Sequence, residues 1–305
     1  MKNVLIIFCF ALIVLTHNCG YGQLFPPHLW TATVKVVGED KNPIAGANVS
    51  ISYDLQSPAG QSGKGVSWDE IKGLTDANGL FSASHTDSSF GLGIVIEKSN
   101  YYTTHIGHQF LFNEKRLNPS FTSSLKKIVK PIPMYAKSIT YINFPAFNKP
   151  IGYDLTVGDW TAPNGKGLNT DLLLTENHTN NSSYTFTINF PNQGDGIQEF
   201  SVPLLLQDAV AGQSDLKSSS EAPLDGYQSQ FIQTNHDPNR NFYFRIHTKL
   251  DENSNVVSAH YGKIYGDLPQ FTYYFNPTLN DRDMEFDLKQ NLLGGLQSFE
   301  QVKLP

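Results

Sequence analysis

Cysteine is nearly absent from this chain of 305 residues, and where it occurs decides much. Cys9 and Cys19 both lie in the first 22 residues, a stretch with Lys2 as its only early charge and an apolar core at 4–15. That core is too short to span a bilayer, and Gly20-Tyr21-Gly22 supplies small residues at the −3 and −1 positions of a cleavage site before Gln23. Residues 1–22 are therefore expected to be a signal peptide, and Cys19 a poor lipid-anchor site because Thr16 and Asn18 do not fit a lipobox. Without those residues the chain has no cysteine, which excludes a disulfide, a Cys–zinc centre and a cysteine nucleophile. No other stretch is long or apolar enough for a transmembrane helix. Positive charge is also scarce: the formal net charge of −6 becomes −7 when Lys2 is removed, and no basic stripe exists to hold nucleic acid. Nor does any run keep helical periodicity over three turns, and no repeat of fixed period is visible.

What is present is strand pattern. In 31–37, Thr31, Thr33, Lys35 and Val37 alternate with Ala32, Val34 and Val36, a β-branched period-two run. Residues 38–46 hold charge, Asn42, Pro43 and two glycines, so they read as a turn. Val49, Ile51 and Tyr53 then share one face of a second strand. Asp76-Ala77-Asn78-Gly79 is expected to be a tight hairpin tip between 72–75 and 80–84, because Asn and Gly tolerate positive φ. Residues 91–97 and 125–134 supply further strands, while 67–72 and 290–296 are the best short helical candidates.

Val34-Lys35-Val36, Pro43-Ile44-Ala45-Gly46-Ala47-Asn48-Val49 and Thr75-Asp76-Ala77-Asn78-Gly79-Leu80-Phe81, in that order, resemble the carboxypeptidase regulatory-like family. The resemblance covers about residues 30–135 and implies a prealbumin-like, seven-stranded β-sandwich that is a non-catalytic accessory module of exported proteins. A longer insert at about 56–71 departs from the family's spacing.

The remainder reads as one larger all-β domain. Strand-like runs at 172–174, 184–190, 200–206, 242–247, 256–265, 271–275 and 284–288 are separated by Asn, Gly, Asp and Pro clusters. Residues 208–223 read as a loop. Segments such as Gly158-Asp159-Trp160 and 271–277 resemble uncharacterised secreted bacterial proteins and imply no mechanism. The expected organisation is thus 1–22 signal, 23–136 regulatory-like sandwich and 137–305 all-β sandwich or jelly roll.

Candidate chemistry is thin. Trp160, Tyr101, Tyr102, Tyr273 and Tyr274, with Trp30, could stack on sugars or anchor a protein; adjacent pairs on a strand are expected to expose one ring each, whereas the ordinary fate of such rings is the core. Asp281, Asp283, Glu285 and Asp287 would share one face of an extended 281–288, which suits Ca²⁺ or a solvated, aggregation-blocking edge. Their strand spacing of roughly 7 Å is wide for one ion. His105 and His108, with His85 and Asp87 earlier, offer imidazoles for zinc, but i,i+3 residues share a face only on a helix. Gly60-Gln61-Ser62-Gly63-Lys64-Gly65 completes neither a phosphate loop nor a nucleophile elbow. Asp154, Asp159, Glu199 and Asp267 could include a hydrolase pair if two of them faced each other across a cleft.

The expectation is an exported, non-catalytic binding or scaffolding protein of the periplasm, cell surface or exterior, needing no cofactor unless calcium, with glycan or protein as ligand. A secreted polysaccharide hydrolase and a structural envelope component are the alternatives.

Overall fold

Trp30, Ala32, Val34 and Val36 all point inward from one strand, and their buried side chains start the first core. Thr31 and Thr33 face outward, where their hydroxyls meet those of Ser84 and Ser82 at 2.7 and 2.9 Å. Period-two alternation thus sorts β-branched and aromatic residues to one face, as pleated geometry requires. The computed structural model describes residues 28–55, 67–87, 91–109, 118–180, 183–202 and 212–305. Among these every regular element is a β-strand, and the protein is all-β. The expected signal peptide at 1–22, the 60–65 segment and, of the strand expected at 200–206, residues 203–206 lie outside the described residues.

The contacts divide the chain into two units, each built of packed sheets. The first contains the described residues up to Ser99 and Thr103–Leu125. Its strands are β1 (His28–Gly38), β2 (Asn48–Leu55), β3 (Ser67–Leu74), β4 (Leu80–Asp87), β5 (Gly91–Glu97), β6 (Thr104–Gln109) and β7 (Ser120–Leu125). One sheet runs β4-β1-β7, with β1 antiparallel to β4 and parallel to β7. The other runs β6-β5-β2-β3, antiparallel throughout. Trp30 of β1 meets Tyr53 of β2 edge to face at 5.5 Å, joining the two inner faces into a sandwich.

The two motifs of the first unit are bonded to each other. Buried Thr75 donates its hydroxyl to the Ile44 carbonyl at 2.7 Å and accepts the Ala47 N–H at 2.8 Å. Asp76 Oδ1 accepts the N–H groups of Asn78 and Leu80, and Gly79 turns at φ +72° with its carbonyl on the Val36 N–H. The turn forms where the sequence places it, but it is no hairpin tip. It carries the chain from β3 in one sheet to β4 in the other, because β4 pairs with β1 and β3 with β2.

The helical candidate at 67–72 is strand β3, drawn into register by eight pairings with β2. Residues 125–134 are not one strand either. β7 ends at Leu125, and Lys126 onward belongs to the second unit together with Asn100–Tyr102. The division therefore falls near 125, and the expected boundary after residue 136 lies inside a strand.

That strand is β8 (Ile132–Ile139). It is followed by β9 (Ile151–Asp154), β10 (Asp159–Trp160), β11 (Leu172–Asn180), β12 (Ser183–Asn189), β13 (Gly196–Ser201), β14 (Gln213–Ser214), β15 (Gln230–Gln233), β16 (Arg240–Leu250), β17 (Val256–Asp267), β18 (Gln270–Asn276) and β19 (Phe286–Asn291). A five-stranded sheet, β10-β9-β11-β12-β15, packs on a six-stranded one, β13-β16-β17-β18-β8-β19. Tyr153 on Tyr273 at 6.2 Å and Phe231 on Phe242 at 4.8 Å mark the shared core. The outer face of the larger sheet is buried too. Met134, Tyr265, Tyr274 and Phe286 form one apolar group there, and Ala222, Tyr243, Tyr261 and Met284 another. The helical candidate at 290–296 begins with the end of β19 and continues without regular structure.

Candidate functional site

Burial on both faces of the larger sheet removes most of the expected aromatic sites. β18 lies between β17 and β8, so Tyr273 is 0% exposed on the core side and Tyr274 1% exposed on the other. Tyr273 donates its hydroxyl to the Leu155 carbonyl at 3.0 Å and Tyr274 to the Leu304 carbonyl at 2.9 Å. Neither ring of this pair is exposed, contrary to the alternation argument, because both faces of the strand are covered. Trp160 is buried between Tyr153 and Phe144, its Nε1 donating to the Asn143 carbonyl. Trp30 is core. Tyr102 is buried and Tyr101 half-buried beside a bridge to Lys127. The strongest candidates by sequence are therefore packing residues.

The four carboxylates at 281–287 do not gather. Residues 281–285 precede β19 and lack its period. Asp281 accepts the Asp283 N–H, Asp283 pairs with Lys130 at 2.8 Å, and Asp287 accepts the Lys289 N–H. Buried Glu285 accepts the Tyr102 hydroxyl at 2.9 Å and the N–H groups of Val129 and Lys130. His105 and His108 lie three apart on strand β6 and so point to opposite faces, while His85 packs on Tyr53. The side chain of Asp87 lies outside the described residues. Among the described residues no three His, Cys, Asp or Glu groups stand where they could hold one metal ion.

The carboxylates considered for hydrolysis hold the fold. Asp154 is buried among donors from Thr156, Val157, Leu168 and Asn169. Burial pushes its carboxyl up, and those hydrogen bonds outweigh the burial and hold it below the usual carboxylate value. Asp159 accepts the N–H groups of Trp160 and Lys166. Glu199 and Asp267 flank one guanidinium, Arg240, at 3.5 and 2.9 Å.

Around Asp267 the structure does build a site. β15 ends at Gln233, and the chain continues through Thr234, Asn235 and His236 to Arg240. Asp267, fully buried, accepts from His236 Nδ1 at 2.5 Å, from the Asp237 N–H at 3.0 Å and from Arg240 at 2.9 Å. With Nδ1 donating to Asp267, a neutral imidazole leaves Nε2 as an acceptor. Gln233 is pinned by two bonds to the backbone of Leu268. These residues line a cleft of about 360 Å³, closed on its other side by Tyr141, Tyr184, Phe186, Pro269 and Gln270. That volume falls within the range of small-ligand pockets, roughly 300–1,000 Å³.

The rings at its mouth are Tyr141, 59% exposed, and Tyr184, 56% exposed. Tyr184 starts the inward row Tyr184, Phe186, Ile188 of β12, but it stands at the strand end where the core opens. It leans on Phe186 at 5.4 Å, and beyond it His178 stacks on exposed Phe147 at 4.1 Å. Sequence reasoning missed this pair. The alternation 184–190 contained the signal for Tyr184, but nothing local marks Tyr141.

A second buried carboxylate–imidazole pair lies elsewhere in this unit. Asp171 accepts from His247 Nε2 at 2.7 Å and from the Leu155 N–H at 2.7 Å. His247 sits at φ +54° where the β16–β17 register shifts. The bond to Asp171 holds its imidazole above the ordinary value against the effect of burial, and burial pushes neighbouring His260 down.

No family model and no curated protein matches the chain. Among solved structures it is similar to the 3-chlorocatechol 1,2-dioxygenase of Rhodococcus opacus 1CP, at 11% identity and a TM-score of 0.26, over 35% of this chain and 62% of that one. It is also similar to the shaft pilin spaA of Lactobacillus rhamnosus GG, at 12% identity and a TM-score of 0.22, over 56% of this chain and 90% of that one. A putative membrane-associated protein of unknown function from Bacteroides fragilis matches at 9% identity and a TM-score of 0.22, over 83% of this chain and 99% of that one. Likeness at this level carries no argument about function. Among the described residues no helix is long and apolar enough to cross a membrane.

Proposed function

We propose that this chain is an exported, non-catalytic binding protein whose second unit holds a glycan in the Tyr141–Tyr184 cleft. The observation that carries the reading is the pair of exposed tyrosine rings at the mouth of a cleft lined with polar groups. Planar rings present a face to the C–H side of a sugar, and the neighbouring Thr234, Asn235, His236 and Gln270 supply hydroxyl, amide and imidazole partners for its hydroxyls. The carboxylate in this cleft, Asp267, is already engaged by three donors, an arrangement suited to orienting His236 rather than to proton transfer. The first unit is, on this reading, a carboxypeptidase regulatory-like module that displays the second. Its seven strands in two sheets and the Thr75 bonds linking its two motifs support that assignment.

The test is calorimetric titration of the chain from residue 23 with a panel of neutral oligosaccharides, followed by chromatography of the sugars. Saturable heat with the sugars recovered intact is expected. Released shorter products would establish the hydrolase instead, and the absence of heat with every sugar would overturn the reading.

A further inference from the structure

On the outer face of the six-stranded sheet, residues 298–304 run beside Tyr265 and Tyr274 and border a second cavity, of about 370 Å³. Its polar lining includes Ser138, Lys217, Thr272, Gln301 and Lys303, and among the described residues no carboxylate lines it. Lys217 stands out. It is half-buried, its Nζ lies 5.5 Å from the centroid of the Tyr265 ring, and its ammonium makes no hydrogen bond or ion pair among the described residues. Burial pushes its ammonium below the ordinary lysine value.

The acids and cations packed around it are otherwise occupied. Glu285 is held by Tyr102 and two backbone N–H groups, and Glu300 by Lys137 at 2.9 Å. Lys263, wholly buried behind the cavity wall, spends its donors on Ser218 Oγ, the Tyr265 hydroxyl and the Met284 carbonyl. Lys126 donates to the carbonyls of Lys217 and Ser218. Tyr265 meets Ser218, and Tyr274 reaches Leu304. Among the described residues the Lys217 ammonium has the face of the Tyr265 ring but no hydrogen bond or ion pair, and Lys303 adds a second positive charge to the cavity lining. A part-buried ammonium without a counter-charge is costly, and an entering oxyanion removes that cost through a charge-assisted hydrogen bond.

We infer that this cavity is a binding site for a small oxyanion on an organic body, a carboxylate or a phosphate ester, with the anion on Lys217 and the body against Tyr265, Phe299 and Val302. The site is separate in its residues from the glycan cleft and stands whether or not that cleft binds sugar.

Titration of the chain with glucuronate, glucose 6-phosphate and glucose tests it, in the parent and in the Lys217→Met and Tyr184→Ala variants. At least one of the two anions is expected to bind, with the better of them naming the anion type. Lys217→Met should weaken that binding about tenfold or more, the worth of one charge-assisted hydrogen bond, while leaving glucose unaffected. Tyr184→Ala should leave anion binding unchanged. Lys303→Met, at an exposed position, should weaken it by a smaller factor and guards against misfolding of the first variant. No heat with either anion, or anion binding that survives Lys217→Met, would overturn the inference.

Discussion

Asp267 and His236 meet through a 2.5 Å contact between Oδ1 and Nδ1, with the carboxylate wholly buried and the imidazole largely in solvent. One partner belongs to the interior and the other to the cleft, so a single pair ties the packing of β17 to the surface that would meet a ligand. The same carboxylate neutralises Arg240, itself nearly buried and lying over Phe231.

Asp267→Ala is expected to destabilise the second unit by about 3 kcal/mol, because it removes the buried carboxylate and leaves the Arg240 guanidinium only the half-exposed Glu199 at 3.5 Å and the Asn235 carbonyl. His236→Ala should cost little stability and should weaken glycan binding. Urea melts of both variants check the contrast; equal midpoints would show that the carboxylate is not structural.

Tyr184→Ala and Tyr141→Ala should each weaken glycan binding by about 1 kcal/mol, roughly fivefold, with the melting temperature close to the parent's. Tyr273→Ala should do the reverse in kind. It removes a buried ring from the core and is expected to cost about 3–5 kcal/mol of stability. Calorimetry beside thermal melts separates the two classes, and a Tyr184→Ala variant with unchanged affinity would remove the cleft from consideration.

Gly79→Ala in the first unit places a Cβ at φ +72° and against the Val36 carbonyl. A loss of about 1 kcal/mol or more is expected from the backbone conformation and the clash together. Denaturant unfolding of the Trp160→Phe background, followed by the fluorescence of the remaining tryptophans of the first unit, measures it; a stability equal to that background's would show that the turn does not require glycine.

The His247–Asp171 pair makes stability depend on pH. Its bond to Asp171 raises the folded imidazole above the ordinary value of about 6.5, so its stabilisation is complete below that pH and is lost as the pH rises through the folded value. His260 works the other way. Burial and the charge of His247 lower it, so it withdraws stability as the pH falls below about 6.5. Asp171, Asp195 and Asp154 are the remaining charges acting on the pair. Removing the proton-linked gain with His247→Asn, a residue that tolerates positive φ, should flatten the decline in urea midpoint between pH 6.5 and 8.5. A variant whose midpoint falls with pH as steeply as the parent's would show that His247 does not carry the linkage.

The strand content, the alternation of β1 and β12 and the turn at Asp76–Gly79 were determined by sequence alone, because period-two patterning and positive-φ turn residues act locally. Partnership was not. Residues 67–72 are a strand because β2 offers them a full ladder of hydrogen bonds, and the turn at 76–79 changes sheets because β1 lies beside β4. The site was the least legible part. Tyr273 and Tyr274 promised an exposed ring only if their sheet had a free face, and segments far away in the chain cover that face. Tyr141 and Tyr184 become neighbours across the cleft only when the ends of two sheets meet. Alternation assigns a side chain to a face, whereas tertiary packing decides whether that face meets water.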